Sequence, residues 1–130
     1  MKPKTAINPK KVIKSFPHAV RGIMLVFNER NMQVHLLAVA MVIVFGFWLS
    51  ISNLEWLIIF LCFALVTSLE TLNSAIENVC NKLRDDLSLS YDATKNARDL
   101  SAGAVLIASF FSALIGLVIF VPKILYLLIY

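Results

Sequence analysis

Long apolar runs divide the chain into three segments separated by short polar links. The first covers about residues 31–50 and includes MQVHLLAVAMVIVFGFWLS. The second runs over about residues 54–81 and the third over about residues 100–121. Each reaches the length of about 20 residues that an α-helix needs to cross a bilayer. The pattern over residues 8–28 is different. Lys11, Lys14, His18 and Arg21 fall on one face of a helical wheel, and Val12, Ile13, Phe16, Val20, Ile23 and Phe27 on the opposite one. That is the pattern of a basic amphipathic helix lying in a membrane interface. Pro17 falls inside it and predicts a kink or a restart. In the third segment Ala97, Ser101, Ala104, Ala108, Ser112 and Gly116 recur every three or four residues, a stripe that lets helices approach closely in lipid. The expected fold is an all-α membrane protein, one domain over residues 1–130, with an N-terminal surface helix and three transmembrane helices.

Composition agrees with the pattern. Hydrophobic residues make up 59% of the chain and charged ones 15%, and the mean hydropathy is +0.81. A soluble domain of this size has too little core to hide so much apolar surface. The net charge of +4 is better matched to an anionic lipid surface than to nucleic acid, given the long charge-free stretches. The first apolar run begins too late for a secretory signal peptide, so no cleavage is expected. Cys62 and Cys80 fall in one predicted helix about 27 Å apart and cannot bridge each other.

The links set the orientation. Lys2, Lys4, Lys10, Lys11, Lys14, Arg21 and Arg30 precede the first span, and Lys82, Arg84, Lys95 and Arg98 lie between the second and third. The link SISNLEW between the first two has no Lys or Arg, and the tail after the third has only Lys123. By the positive-inside rule the N-terminus is cytoplasmic and the C-terminus lies outside. Trp48 and Trp56 flank the short outer link, at the level of an aromatic belt.

The second span ends in SLETLNSAIENVC, where Thr67, Glu70, Asn73, Ser74, Glu77 and Asn81 share one stripe. Glu70 lies about 21 Å along the axis from Trp56, inside the inner leaflet, and Glu77 about 10 Å further, near the cytoplasmic surface. A charge at the centre of a span costs at least about 2.5 kcal/mol, and an intramembrane carboxyl is functional by default. Glu29 and Asp99 start the first and third spans, so with Glu77 three carboxylates converge at one height. Oxygen ligands of this kind suit Mg²⁺, usually held by one or two carboxylates plus substrate phosphates. Lys11, Lys14 and Arg98 at the same surface can neutralise phosphate oxygens. The pattern points to phosphoryl transfer across the interface. A metal–nucleotide would sit at Glu29 and Glu77, and a membrane alcohol at Glu70. Glu70 would take the proton as general base, with Asn73 orienting that carboxylate or the hydroxyl. Gly22, Gly46, Gly103 and Gly116 form neither GxxxxGK nor GxGxxG, and there is no HRD or DFG triplet.

The segment ETLNSAIENVCN followed by ARDLSAGAVLIAS resembles the prokaryotic diacylglycerol kinase/undecaprenol kinase family, over about Lys11 to Ile119. The resemblance implies a surface helix and three spans assembled as a homotrimer with active sites shared between protomers, and ATP- and Mg²⁺-dependent phosphorylation of a lipid alcohol. It implies Glu70 as proton acceptor, with Asn73 beside it. It implies Glu29 and Glu77 as metal- and ATP-binding glutamates, and Arg98–Asp99 as an ATP-contacting pair. Lys11 and His18 fall at surface-helix positions that contact nucleotide in some members. Glu70, Ser101 and Trp48 are expected along the lipid. Arg98 stands where the family has Lys, which keeps the charge and changes the donor geometry. Pro17 inside the surface helix and the long link KLRDDLSLSYDATKN are further departures. ERNMQVH is closer to the branch that uses undecaprenol, and His35 replaces an acidic residue of the enterobacterial enzymes.

Two other functions fit some of the same residues. A proton-coupled transporter subunit would use Glu70 as a mid-membrane carrier, but it needs a polar path outward, and residues 56–66 offer none. A non-catalytic membrane scaffold would keep the fold and not depend on Glu70 or Glu77.

Overall fold

The computed structural model describes residues 9–129, with side chains described from residue 13. The expectations for residues 1–8, and for the Lys11 and Val12 side chains, lie outside the described residues. Four helices follow one another: α1 Pro9–Val26, α2 Arg30–Trp48, α3 Asn53–Leu87 and α4 Tyr91–Ile129. Helices α2, α3 and α4 are each long and apolar enough to cross a membrane.

Helices α3 and α4 are longer than the apolar pattern suggests. At 35 and 39 residues they reach about 50 Å and 60 Å, against a hydrocarbon core of about 30 Å. The polar stretch after Asn81, expected as a link, continues α3 to Leu87 because it holds no Gly or Pro and good helix formers. The helix stops at Ser88, which adopts a left-handed conformation at φ 53°. Residues 88–90 are the whole connection to α4. Pro17 and Pro122 both lie inside continuous helices rather than at a restart. Each removes one backbone donor while its neighbours keep theirs. The tail after Pro122 extends α4.

The α2–α3 turn is built differently. Ser50 is left-handed (φ 48°). The Ile51 N–H donates to the Gly46 carbonyl at 3.1 Å, and the Ser50 N–H to that of Phe47 at 3.2 Å. This is a Schellman closure of α2. Ser52 then caps α3: its Oγ accepts from the Glu55 N–H (3.3 Å), and the Glu55 carboxylate accepts from the Ser52 N–H (2.6 Å). The Trp56 ring packs so closely on Gly46 that a Cβ there would lie 2.6 Å from it.

Helix α4 runs antiparallel along α3, and α2 lies mainly against α3. The α3 side of the seam repeats as Ile59, Val66, Glu70, Asn73 and Cys80, and the α4 side as Thr94, Val105, Ala108 and Ile119. Steps of three, four and seven on α3, and of three and eleven on α4, keep each set on one helix face. At the α2–α3 turn the seam is apolar, a cluster of Leu49, Ile51, Ile59 and Ile119 with Trp56 and Phe63 against it. Lys123 pairs with Glu55 at 3.2 Å there and ties the far part of α4 to the start of α3. Toward the α3–α4 link the same seam turns polar.

Candidate functional site

Among the described residues Glu70 and Asn73 are the most buried polar ones, at 2% and 3% exposure. Both face inward because they continue the apolar seam of α3 at the same heptad spacing. Asn73 is held at both ends. Its amide Nδ2 donates to Glu77 Oε1 at 3.1 Å, and its Oδ1 accepts from Ser101 Oγ at 2.7 Å across the α3–α4 seam. Ser101 has a single proton to give and a second acceptor, the Arg98 carbonyl, at 2.9 Å. One helical turn further, the Arg98 guanidinium donates to Asn81 Oδ1 at 2.9 Å and reaches Thr94 Oγ1 at 3.5 Å. It also lies over the Tyr91 ring, 5.4 Å from its centroid. The polar end is thus a chain of contacts linking Glu77, Asn73, Ser101, Arg98 and Asn81.

Asn73 therefore orients Glu77. The sequence pattern paired it with Glu70 or a hydroxyl, but its donor group points along the helix toward the residue four positions on. Glu70 stands outside this network. Its Oε1 is buried with no hydrogen-bond partner. Its Oε2 faces His35 of α2, with Nε2 at 3.9 Å, too far for a hydrogen bond. A buried acceptor without a donor is destabilising, and it marks a place where something else is expected to bind.

Helices α2, α3 and α4 leave a cleft of about 460 Å³ whose lining includes His35 and, one turn from Glu70, Thr67, but not Glu70 itself. His35 and Thr67 stand at one end and Val121 and Ile124 at the other. Its walls are almost all apolar, from Val39, Ile59, Val66, Ile115 and Phe120 among others. Gly116 lines it too, with open space where a Cβ would stand. The small-residue stripe of α4 therefore widens the cleft at that level instead of tightening a helix contact. Ser109 Oγ is a second buried atom without a partner.

The remaining expected residues are placed less centrally. Glu29 is the exposed N-cap of α2, and no side-chain hydrogen bond ties it there. Asp99 is exposed on α4, and His18 is exposed on α1. Among the described residues no three His, Cys, Asp or Glu side chains gather closely enough to hold a metal ion, so Glu29, Glu77 and Asp99 do not form such a group within one chain. Trp48 is exposed at the far end of α2, thirteen residues beyond His35, which is about 20 Å along the axis. There it lines a shallow hollow with Lys123 and Tyr126. On α1, Ile13, Phe16, Val20 and Ile23 are exposed.

The cross-helix contacts Ser101–Asn73, Arg98–Asn81 and His35–Glu70 are absent from any reading of single helices. The signal available for the first two was the polar stripe on α3 opposite the small and basic residues of α4. For His35 it was one polar residue in the first apolar run.

The profile of the prokaryotic diacylglycerol kinase family matches residues 17–120. An undecaprenol kinase of Bacillus subtilis (strain 168) is 43% identical over 111 residues, covering 85% of this chain and 88% of that protein. A diacylglycerol kinase of Synechocystis sp. is 30% identical over 122 residues, covering 91% of this chain and 67% of that protein. No solved structure shows a significant match.

Proposed function

The chain belongs to the prokaryotic diacylglycerol kinase family and is a membrane lipid kinase, and from that premise we propose that it phosphorylates a membrane alcohol at the cytoplasmic face of a bacterial inner membrane, with ATP and Mg²⁺. The preferred alcohol is undecaprenol, the substrate named for the 43% identical relative. Diacylglycerol, named for the 30% identical one, is the second candidate. The observation that carries the reading is Glu70, a carboxylate 2% exposed with an unpartnered acceptor oxygen, facing His35 at the end of an apolar cleft.

In the proposed reaction the lipid hydroxyl stands at Glu70 with its chain along the cleft. The hydroxyl proton passes to the Glu70 carboxylate while the lipid oxygen bonds to the γ-phosphorus. The bond from that phosphorus to the β–γ bridging oxygen breaks, and ADP leaves. Glu70 later releases its proton to water. There is no covalent enzyme intermediate, and positioning and charge neutralisation supply the rate, as in phosphoryl transfer generally. Trp48 would lie along the outer part of a long chain.

The nucleotide would lie at the polar end. Arg98 uses two of its five N–H donors on Asn81 and Thr94 and keeps three for phosphate oxygens. Lys11, His18 and Asp99 are the further nucleotide contacts. The donor set fits Mg²⁺. Glu77 accepts the Asn73 hydrogen bond on Oε1 alone, Glu29 is exposed without a side-chain cap bond, and two carboxylates with phosphate oxygens suffice for this ion. Glu29 and Glu77 would hold it, and when bound it neutralises charge on the β- and γ-phosphates. The homotrimer with shared sites is carried over from the family resemblance. It is in keeping with a metal set that one chain does not gather. Helix α1, with its apolar residues exposed on one side, would lie on the membrane surface.

Transfer of labelled phosphate from ATP in mixed micelles, with undecaprenol and diacylglycerol offered separately, tests this reading. Labelled undecaprenyl phosphate that requires Mg²⁺ is the expected product. Labelling of diacylglycerol alone would reverse the substrate assignment. Labelling of neither, by folded protein, would contradict the reading.

A further inference from the structure

Among the described residues, His35 is the one basic side chain within 4 Å of Glu70. It comes from a different helix, and its side chain is 24% exposed, so it borders both the carboxylate and the apolar cleft. The phosphate-end network does not include it. The Asn73 amide, one turn from Glu70, is bonded instead to Glu77 and Ser101. Glu70 is thus left with one unpartnered oxygen, Oε1, and one oxygen facing an imidazole.

We propose that His35 is a positioning residue for Glu70, an assignment that rests on Glu70 acting as the base. The tautomer protonated at Nε2 donates to Glu70 Oε2 and fixes the carboxylate plane. Oε1 is then turned to the lipid hydroxyl. The gap of 3.9 Å has to close by about 1 Å to reach hydrogen-bond distance. Such contacts are often long in the free enzyme and tighten when substrate binds. Here the substrate chain entering the cleft supplies the packing that brings α2 toward α3. A base whose orientation is set by a second group is a recurrent arrangement. A carboxylate misplaced by about 1 Å is expected to slow transfer by up to about 10²-fold. Nothing in this role touches nucleotide, so the KM for ATP is independent of it.

The test uses the full-length chain in mixed micelles with undecaprenol and Mg²⁺-ATP. His35→Leu, His35→Gln, His35→Asn, Glu70→Gln and the double variant His35→Leu/Glu70→Gln are compared, with a thermal midpoint for each. The expected result is a kcat about 10- to 100-fold lower in His35→Leu, with the KM for ATP unchanged. His35→Gln, whose amide keeps a donor at similar reach, recovers most of the rate. His35→Asn, with a donor too short to reach, does not, and it replaces His35→Leu in the comparison should that variant fail to fold. The double variant is no slower than Glu70→Gln, because His35 acts only through that carboxylate. A His35→Leu enzyme at wild-type kcat, a Gln variant no faster than Leu, or independent losses in the double variant would each overturn the assignment while leaving Glu70 as base. A fully active Glu70→Gln enzyme would overturn both.

Discussion

Asn73 is engaged through both its amide nitrogen and its amide oxygen, joining Glu77 on its own helix to Ser101 on the next. In a span this arrangement both ties α3 to α4 and fixes the direction of the Glu77 carboxylate. Ser101→Ala removes the 2.7 Å bond and leaves the buried Asn73 oxygen without a donor. The stability loss is expected to be small, about 0.5–1 kcal/mol, as for other hydrogen bonds between membrane helices. The nucleotide effect should be larger in proportion: the KM for Mg²⁺-ATP rises, which steady-state kinetics in micelles measures. At this scale the sequence is most informative about which residues matter. Spacing alone puts Glu70, Asn73 and Glu77 on one stripe of a helix. It does not say which partner each takes, because Asn73 has neighbours at both i−3 and i+4 and only the opposing helix decides between them. For the same reason His35 reads as a lone polar residue, since its meaning depends on how α2 sits against α3.

Among the elements, the α2–α3 turn carries the tightest geometry. Ser50 takes the left-handed conformation that favours glycine, so Ser50→Gly should stabilise the turn and raise the thermal midpoint in detergent. Four residues earlier the demand is reversed. A Cβ on Gly46 would stand 2.6 Å and 2.8 Å from atoms of the Trp56 ring. That ring cannot withdraw easily, because it packs against Phe47 and stacks on Phe60. Gly46→Ala is therefore expected to lose about 1–3 kcal/mol by overpacking, seen as a lower midpoint with a changed tryptophan emission. Helix positions are legible from hydrophobic runs, but helix ends are not. Apolar periodicity marks where lipid is, whereas α3 goes on to Leu87 and α4 begins at Tyr91 in water-compatible sequence. The cap at Ser52 and Glu55 has a legible S-x-x-E signature, but nothing local indicates that Lys123 joins it from the other end of the chain.

Across the whole molecule, the α3–α4 pair is apolar at the α2–α3 turn and polar toward the α3–α4 link, and the cleft runs between the two regimes. That asymmetry matches the distribution of Lys and Arg along the chain, and it predicts the orientation. With Cys62 and Cys80 replaced by Ala, a single cysteine at Ser52 should react with a membrane-impermeant thiol reagent on intact cells. One at Ser90 should react only after the membrane is opened. The reverse pattern would invert the topology. The number of spans and the basic links are readable because the bilayer imposes a length and a charge rule on any chain. The cleft is not readable, since it is a space left by three helices rather than a property of one. The most direct test of Glu70 as the base separates chemistry from folding at that residue. Phosphate transfer from ATP to undecaprenol and the thermal midpoint are measured on the same preparations of wild type and Glu70→Gln. The expected result is transfer lower by at least about 10²-fold with the midpoint equal or raised, because a neutral amide is easier to bury than an unpartnered carboxylate. Transfer that persists in Glu70→Gln, or that falls only as the protein unfolds, would contradict a catalytic role for this carboxylate.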